Sequence, residues 1–89
     1  MSNFYKINDE KVVVRKIENH VIILDVDTGD FISADDTARL IIEQIIEGKN
    51  DDEIIEEIII KYQCPSREEI VADFQEFILE LQQKGILMS

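Results

Sequence analysis

The chain has 89 residues, 45% of them hydrophobic, and this length allows one small domain with a single core. Nine Lys and Arg residues oppose twenty Asp and Glu residues, so the net charge is −11 and a nucleic acid or an anionic bilayer would repel the chain. Length and composition argue against a disordered tail and against an enzyme with separate cofactor and substrate subdomains.

Cysteine content and hydropathy indicate in which cellular compartment the protein is expected. Cys64 is the single cysteine, which rules out an intrachain disulfide and a multi-cysteine zinc site and fits a reduced, cytoplasmic environment. The first ten residues lack an apolar stretch flanked by basic residues, and the longest apolar run is the four residues 21–24. We therefore expect neither a signal peptide nor a membrane span.

Three short β-strands are predicted first, over about residues 12–16, 20–26 and 30–33. The turn formers of residues 27–30 include Gly29 and predict a tight hairpin between the second and third strands. In the second strand both alternating sets of side chains are largely hydrophobic, so the sheet does not separate cleanly into a core face and a solvent face. We expect part of this sheet to contact something else.

Three helices are predicted next, over about residues 35–47, 51–62 and 66–84, because apolar residues there recur at spacings of three and four. Local signals mark their ends, including a capping box in the third helix. These signals are Asp35 or Asp36 and Gly48 for the first helix, Asn50 or Asp51 and Pro65 for the second, and Ser66, Glu69, Lys84 and Gly85 for the third.

The order of elements predicts an α+β fold of one domain over residues 1–89, with a three-stranded antiparallel sheet followed by three helices. This is the shape of a winged helix-turn-helix with the sheet placed first. A winged-helix DNA binder is one alternative function. The third helix opposes it, because residues 67–84 contain two basic side chains and five acidic ones.

Catalytic chemistry has little support in the sequence. His20 is the only histidine, and Cys64 has no neighbouring basic side chain to stabilise a thiolate, so we interpret both as structural. The acidic residues 51–53 suit the first turn of a helix, and Asp25, Asp27 and Asp30 suit turn chemistry better than a calcium loop. We expect no enzymatic activity, no metal site and no cofactor.

Peptide binding has better support. If the strands follow in order, the third strand lies at a sheet edge, where its backbone groups could pair with an incoming peptide. On the third helix, Val71 and Ile78 lie on the shoulder of the apolar stripe beside Gln75, where they could form the wall of a groove. A protected edge and a simple extension of the core are the alternatives.

A set of turn, cap and core positions recurs here in a familiar order and spacing. These positions are Leu24, Asp25, residues 28–33, residues 36–38, Ile41, Gly48, Ile54, Ile58, Tyr62, Asp73, Phe77, Ile78, Leu81 and residues 85–87. In this order the sequence resembles the PqqD-like family over roughly residues 12–87. Three positions differ from the family pattern: residues 34–35 are Ala-Asp instead of Leu-Asn, and Ile42 replaces a frequent aromatic residue.

The resemblance implies a cytoplasmic recognition element that binds the leader of a ribosomally synthesised and post-translationally modified peptide (RiPP). It would present this leader, bound as an extra strand beside the third strand and against the third helix, to a modifying enzyme. A radical SAM enzyme of a PQQ-type system and another RiPP-modifying enzyme both remain open as partners. The implied peptide-binding residues are Asp30, Phe31, Ile32, Ser33, Ile70, Val71, Phe74, Gln75 and Ile78.

Two further questions stay open at this point. A second candidate function is a small adaptor or regulatory protein that binds another folded protein through its apolar sheet face. The oligomeric state is a monomer or a strand-swapped dimer. The excess of acidic residues in the helical half, including Asp73, predicts a leader or an enzyme that carries Lys or Arg.

Overall fold

A computed structural model describes residues 3–34, 36–63 and 66–88. It confirms the predicted α+β fold, a three-stranded antiparallel sheet followed by three helices. The strands are β1 (Val12–Ile17), β2 (His20–Asp25) and β3 (Phe31–Ala34), and the helices are α1 (Asp36–Ile46), α2 (Asp51–Tyr62) and α3 (Arg67–Gln83). The sheet order is β1-β2-β3. The predicted cap at Asp35 and the helix break at Cys64 and Pro65 lie outside the described residues.

The hairpin between β2 and β3 explains why the predicted strand ends are shifted. The Asp25 carboxylate accepts hydrogen bonds from the backbone N–H groups of Asp27 (2.9 Å) and Thr28 (3.3 Å), so the chain turns directly after Asp25. The backbone N–H of Asp30 donates to the Thr28 hydroxyl (3.2 Å). Strand β2 therefore ends one residue earlier than predicted, and β3 begins at Phe31, one residue later.

Two predicted helix starts are present as capping interactions. The Asn50 side chain accepts from the Glu53 backbone N–H (2.9 Å), and the Glu53 carboxylate accepts from the Asn50 backbone N–H (3.1 Å), which completes a capping box at α2. At α3 the Ser66 hydroxyl accepts from the Glu69 backbone N–H at 3.3 Å. Gly48 follows α1 with a φ of 86°, as expected for a helix stop.

The core lies between the inner face of the sheet and the three helices. Val21 and Ile23 of β2 are almost fully buried there, together with Ile42 of α1, Ile54 of α2 and Phe74 of α3. The chain ends close this core from one side: the Asn8 backbone N–H donates to the Ile86 carbonyl (2.8 Å), and that of Met88 donates to the Lys6 carbonyl (2.8 Å). Among the described residues, no helix has the length and apolar character of a membrane-spanning segment.

Candidate peptide-binding groove

Strand β3 is an edge strand with one free side. In the described part of the chain it pairs only with β2. The Asp25 N–H donates to the Asp30 carbonyl at 2.8 Å, and in an antiparallel ladder such hydrogen-bonded pairs alternate with unbonded ones. Ile32 and Ala34 therefore bond to β2, whereas the N–H and C=O groups of Phe31 and Ser33 point away from it. This edge offers four backbone groups to a further strand.

The side chains of β3 alternate between the two faces of the sheet. Ile32 is partly buried and Ala34 is buried, so both lie on the inner face, whereas Ser33 is exposed and Phe31 is 68% exposed on the outer face. A strand added beside β3 would follow the same alternation. Half of its side chains would enter the space next to Ile32, and the other half would lie beside Phe31 and Ser33.

Two cavities lie near this edge: the first lies between the three helices, at the start of α1 that follows β3, and the second lies against β3 itself. The first, of about 460 Å³, is lined by Thr37 and Ala38 at the start of α1, Tyr62 at the end of α2, and Ile70 and Phe77 of α3. Its lining is mainly apolar, and this cavity therefore suits a large apolar side chain.

The second cavity, of about 310 Å³, is lined by Asp30 and Ile32 on the β3 side and by Lys84 and Ile86 after α3. The second cavity joins the start of β3 to the end of α3, whereas the first joins the start of α1, which follows β3, to Ile70 near the start of α3. Strand β3 and helix α3 therefore run in opposite directions, with one cavity toward each end of the space between them. We call this space the β3–α3 groove.

The rim of the groove is acidic. Asp73 of α3 lines the first cavity, and Asp25 and Asp30 line the second. The backbone N–H of Asp27 holds the pKa of the Asp25 carboxyl below its ordinary value, with a smaller contribution from Lys11, so Asp25 is anionic at neutral pH. Lys84, the basic residue at this rim, forms an ion pair with Glu80 at 3.1 Å. Carboxylates outnumber lysine among the residues that line the two cavities, so the rim has an excess of negative charge.

The predicted α3 residues do not share one environment. Ile70 and Val71 are partly buried and Gln75 is exposed, which leaves all three accessible to a ligand. Phe74 and Ile78 are only 2% and 5% exposed, so the burial of Ile78 favours the alternative of a simple extension of the core. Phe74 forms the floor of the first cavity, whereas Ile78 belongs to the core alone.

The stripe of α3 that faces the core consists of Phe74, Ile78 and Leu81, and this explains why Ile78 is buried. Phe74 is held in place by Tyr5, whose ring meets it edge-on at a centroid distance of 6.2 Å. With Phe74 and Ile78 facing the core, Phe77 lies at the first cavity. Thr37, Ala38 and Tyr62 also line the first cavity, and no pattern in the sequence indicates this because they reach it from two other helices.

Two of the residues considered for other chemistry, His20 and Asp25, lie at the two ends of β2. His20 is exposed at the start of β2, and Asp25 is engaged in its turn. Within the described ranges, no group of three or more His, Asp or Glu side chains is arranged to hold a metal ion.

Fold and groove together define a winged helix-turn-helix-like α+β domain with an open sheet edge beside a helix. The chain belongs to the PqqD family: residues 20–87 match the family described as coenzyme PQQ synthesis protein D (PqqD). This confirms the resemblance seen in the sequence.

The fold is also similar to a solved structure of TbiB1 in complex with the TbiA(beta) leader peptide. The TM-score is 0.86 at 30% sequence identity, and the match covers 94% of this chain and 95% of the other. The comparison with curated protein sequences found no match.

Proposed function

We propose that this chain is a non-catalytic peptide-binding protein that binds the leader of a ribosomally synthesised precursor peptide and presents it to a modifying enzyme. The observation that carries the proposal is the free β3 edge, where Phe31 and Ser33 direct unpaired backbone groups toward a groove bordered by α3. Membership of the PqqD family and the likeness to TbiB1, which was solved with a leader peptide, support it.

The leader binds by strand addition. Its backbone pairs with Phe31 and Ser33, which fixes the register and supplies hydrogen bonds that do not depend on leader sequence. Every second leader side chain then enters the groove next to Ile32, where the cavities near Ile70 and Lys84 select for shape. Asp30, Val71 and Gln75 lie around these contacts, and Phe74 supports them from below.

Charge complementarity is a second basis for selecting the leader. Asp30 and Asp73 lie at opposite ends of the groove, so Lys or Arg side chains at matching positions of the leader would interact favourably with both. Because both carboxylates are exposed, added salt screens this interaction. The affinity for a basic leader should fall as the ionic strength rises.

The partner enzyme is a RiPP-modifying enzyme of the cytoplasm, a radical SAM enzyme in a PQQ-type pathway being one candidate. The role of this single PqqD-like domain is delivery of the substrate, and the chemistry belongs to the partner. DNA binding is not favoured. The two basic residues at the ends of α3 are both in ion pairs, Arg67 with Glu56 and Lys84 with Glu80. The exposed surface of this helix is therefore acidic and would repel phosphate groups.

The test is a titration by isothermal calorimetry with the leader of the precursor peptide encoded beside the gene, at two salt concentrations. A scrambled leader of identical composition is the control, since it keeps the charge and changes the order of side chains. We expect saturable one-to-one binding of the native leader, weaker binding at higher salt, and at least tenfold weaker binding of the scrambled peptide. Equal affinities for both peptides would contradict selection by the groove.

A further inference from the structure

The outer face of the sheet, which points away from the helices, carries an apolar row across all three strands. Val13, Leu24 and Phe31 are paired in register, so their side chains lie side by side. Leu24 is 38% exposed and Phe31 68%, and Ile17, two rows farther along β1 on the same face, is also exposed. Single exposed apolar side chains are common on protein surfaces, but a continuous row across a sheet is typical of a contact surface.

Among Lys, Arg, Asp and Glu, the strands place one side chain on this face, and it is the basic Arg15. Arg15 lies in the next row, in register with Ile22 and Ser33, and it is exposed. It forms no ion pair with any described residue. The neighbouring basic residues Lys11 and Lys16 differ, because they pair with Asp25 and Glu43, each at 3.2 Å. A chain with a net charge of −11 thus presents one unpaired cation within an apolar surface.

These charges argue against a second copy of the chain as the occupant. A symmetric contact would bring the same face of both copies together. The strands place no acidic side chain on this face, so Arg15 of each copy would meet an apolar or cationic surface and lose hydration without a partner. The net charge of −11 on each copy would add long-range repulsion.

We propose that the outer face of the sheet docks a folded protein whose surface is apolar and presents an Asp or Glu carboxylate to Arg15. This rests on the proposed function in one respect: the partner is the enzyme that modifies the bound peptide. The outward side chains of a leader strand lie beside Phe31 and Ser33, so the docked leader enlarges the same surface by one strand. The enzyme therefore binds the leader-loaded protein more tightly than the free protein, and by reciprocity it strengthens leader binding.

The experiment measures two affinities for each variant: that of the modifying enzyme encoded beside the precursor gene, with and without leader, and that of the leader alone. Arg15→Glu and Leu24→Glu alter the face, and Arg15→Lys keeps the charge. Ile60→Glu is the matched control, since Ile60 is 67% exposed on α2, away from the sheet. Retained leader binding shows that each variant is folded.

We expect Arg15→Glu and Leu24→Glu to weaken enzyme binding at least tenfold, while leader affinity changes less than twofold. Arg15→Lys and Ile60→Glu should keep wild-type affinity for the enzyme within about threefold. Equal effects of Arg15→Glu and Ile60→Glu, or no binding of the enzyme to the wild type in either state, would overturn the proposal. So would a wild-type dimer that Leu24→Glu dissociates. Enzyme binding that depends on Arg15 without any leader binding would support this surface and refute the proposed function.

Discussion

A proline at Ser33 tests strand addition at the free edge. Because the Ser33 N–H points away from β2, Ser33→Pro removes a donor from the edge and leaves the β2–β3 ladder intact. Proline is tolerated on edge strands when its missing N–H faces outward. The variant should therefore remain folded and lose affinity for the leader.

The expected loss of leader affinity follows from the number of backbone groups at the edge. The edge offers the N–H and C=O groups of Phe31 and Ser33, and the proline removes one of these four groups. The leader carbonyl that it served is then left without its donor, which costs about 1–3 kcal/mol. The dissociation constant should rise by about 5- to 150-fold.

The assay is fluorescence anisotropy with a labelled leader, and the control is the same substitution on the opposite edge of the sheet. The Val26 N–H donates to the Lys11 carbonyl at 2.9 Å, so the alternation directs the Lys16 N–H away from β2 as well. Lys16→Pro removes an equivalent outward donor from β1 and should bind the leader like the wild type. If both proline variants bind with wild-type affinity, pairing at β3 is refuted.

Three further predictions concern charge, pH and stability. Asp30→Asn combined with Asp73→Asn should flatten the salt dependence of binding to a basic leader, and an unchanged slope in calorimetry would contradict the electrostatic argument. Because the lowered pKa of Asp25 reflects a hydrogen bond made only in the folded state, its contribution to stability is present above the unfolded pKa of about 3.9 and is lost as the pH falls through the folded value. The urea midpoint of Asp25→Asn should thus depend less on pH below about 4 than that of the wild type, and parallel curves would refute this assignment. Asn50→Ala should lower the free energy of unfolding by about 1 kcal/mol through loss of the α2 cap, measured by urea denaturation with leader affinity unchanged.

Local signals explain why so much of the fold follows from the sequence. The turn after Asp25 and the capping box at Asn50 are formed by residues within three positions of each other. Both partners of each hydrogen bond therefore lie within one short stretch of the sequence. The strand order also follows, because short turns force neighbouring strands to pair. The free edge at Phe31 and Ser33 was therefore predictable from the sequence.

The groove wall was less predictable because it depends on tertiary packing. Apolar residues at both Phe77 and Ile78 give α3 a stripe too wide to show which of the two faces the core. The face that is buried depends on partners distant in the chain, such as Tyr5, which packs on Phe74 from more than 60 positions away. Tyr62 lines the groove from the end of another helix, and no spacing in the sequence indicates that contact.

Our main hypothesis is that a leader peptide binds as a fourth strand in the β3–α3 groove. Amide chemical shifts of labelled protein, recorded during titration with the leader encoded beside its gene, would locate the bound peptide residue by residue. We predict that the largest shifts fall on residues 30–33 and on the groove side of α3 around Ile70 and Phe77, with Lys16 and the β1 edge unchanged. Saturable binding with shifts confined to the β1 edge or to the outer surface of α2 would contradict it.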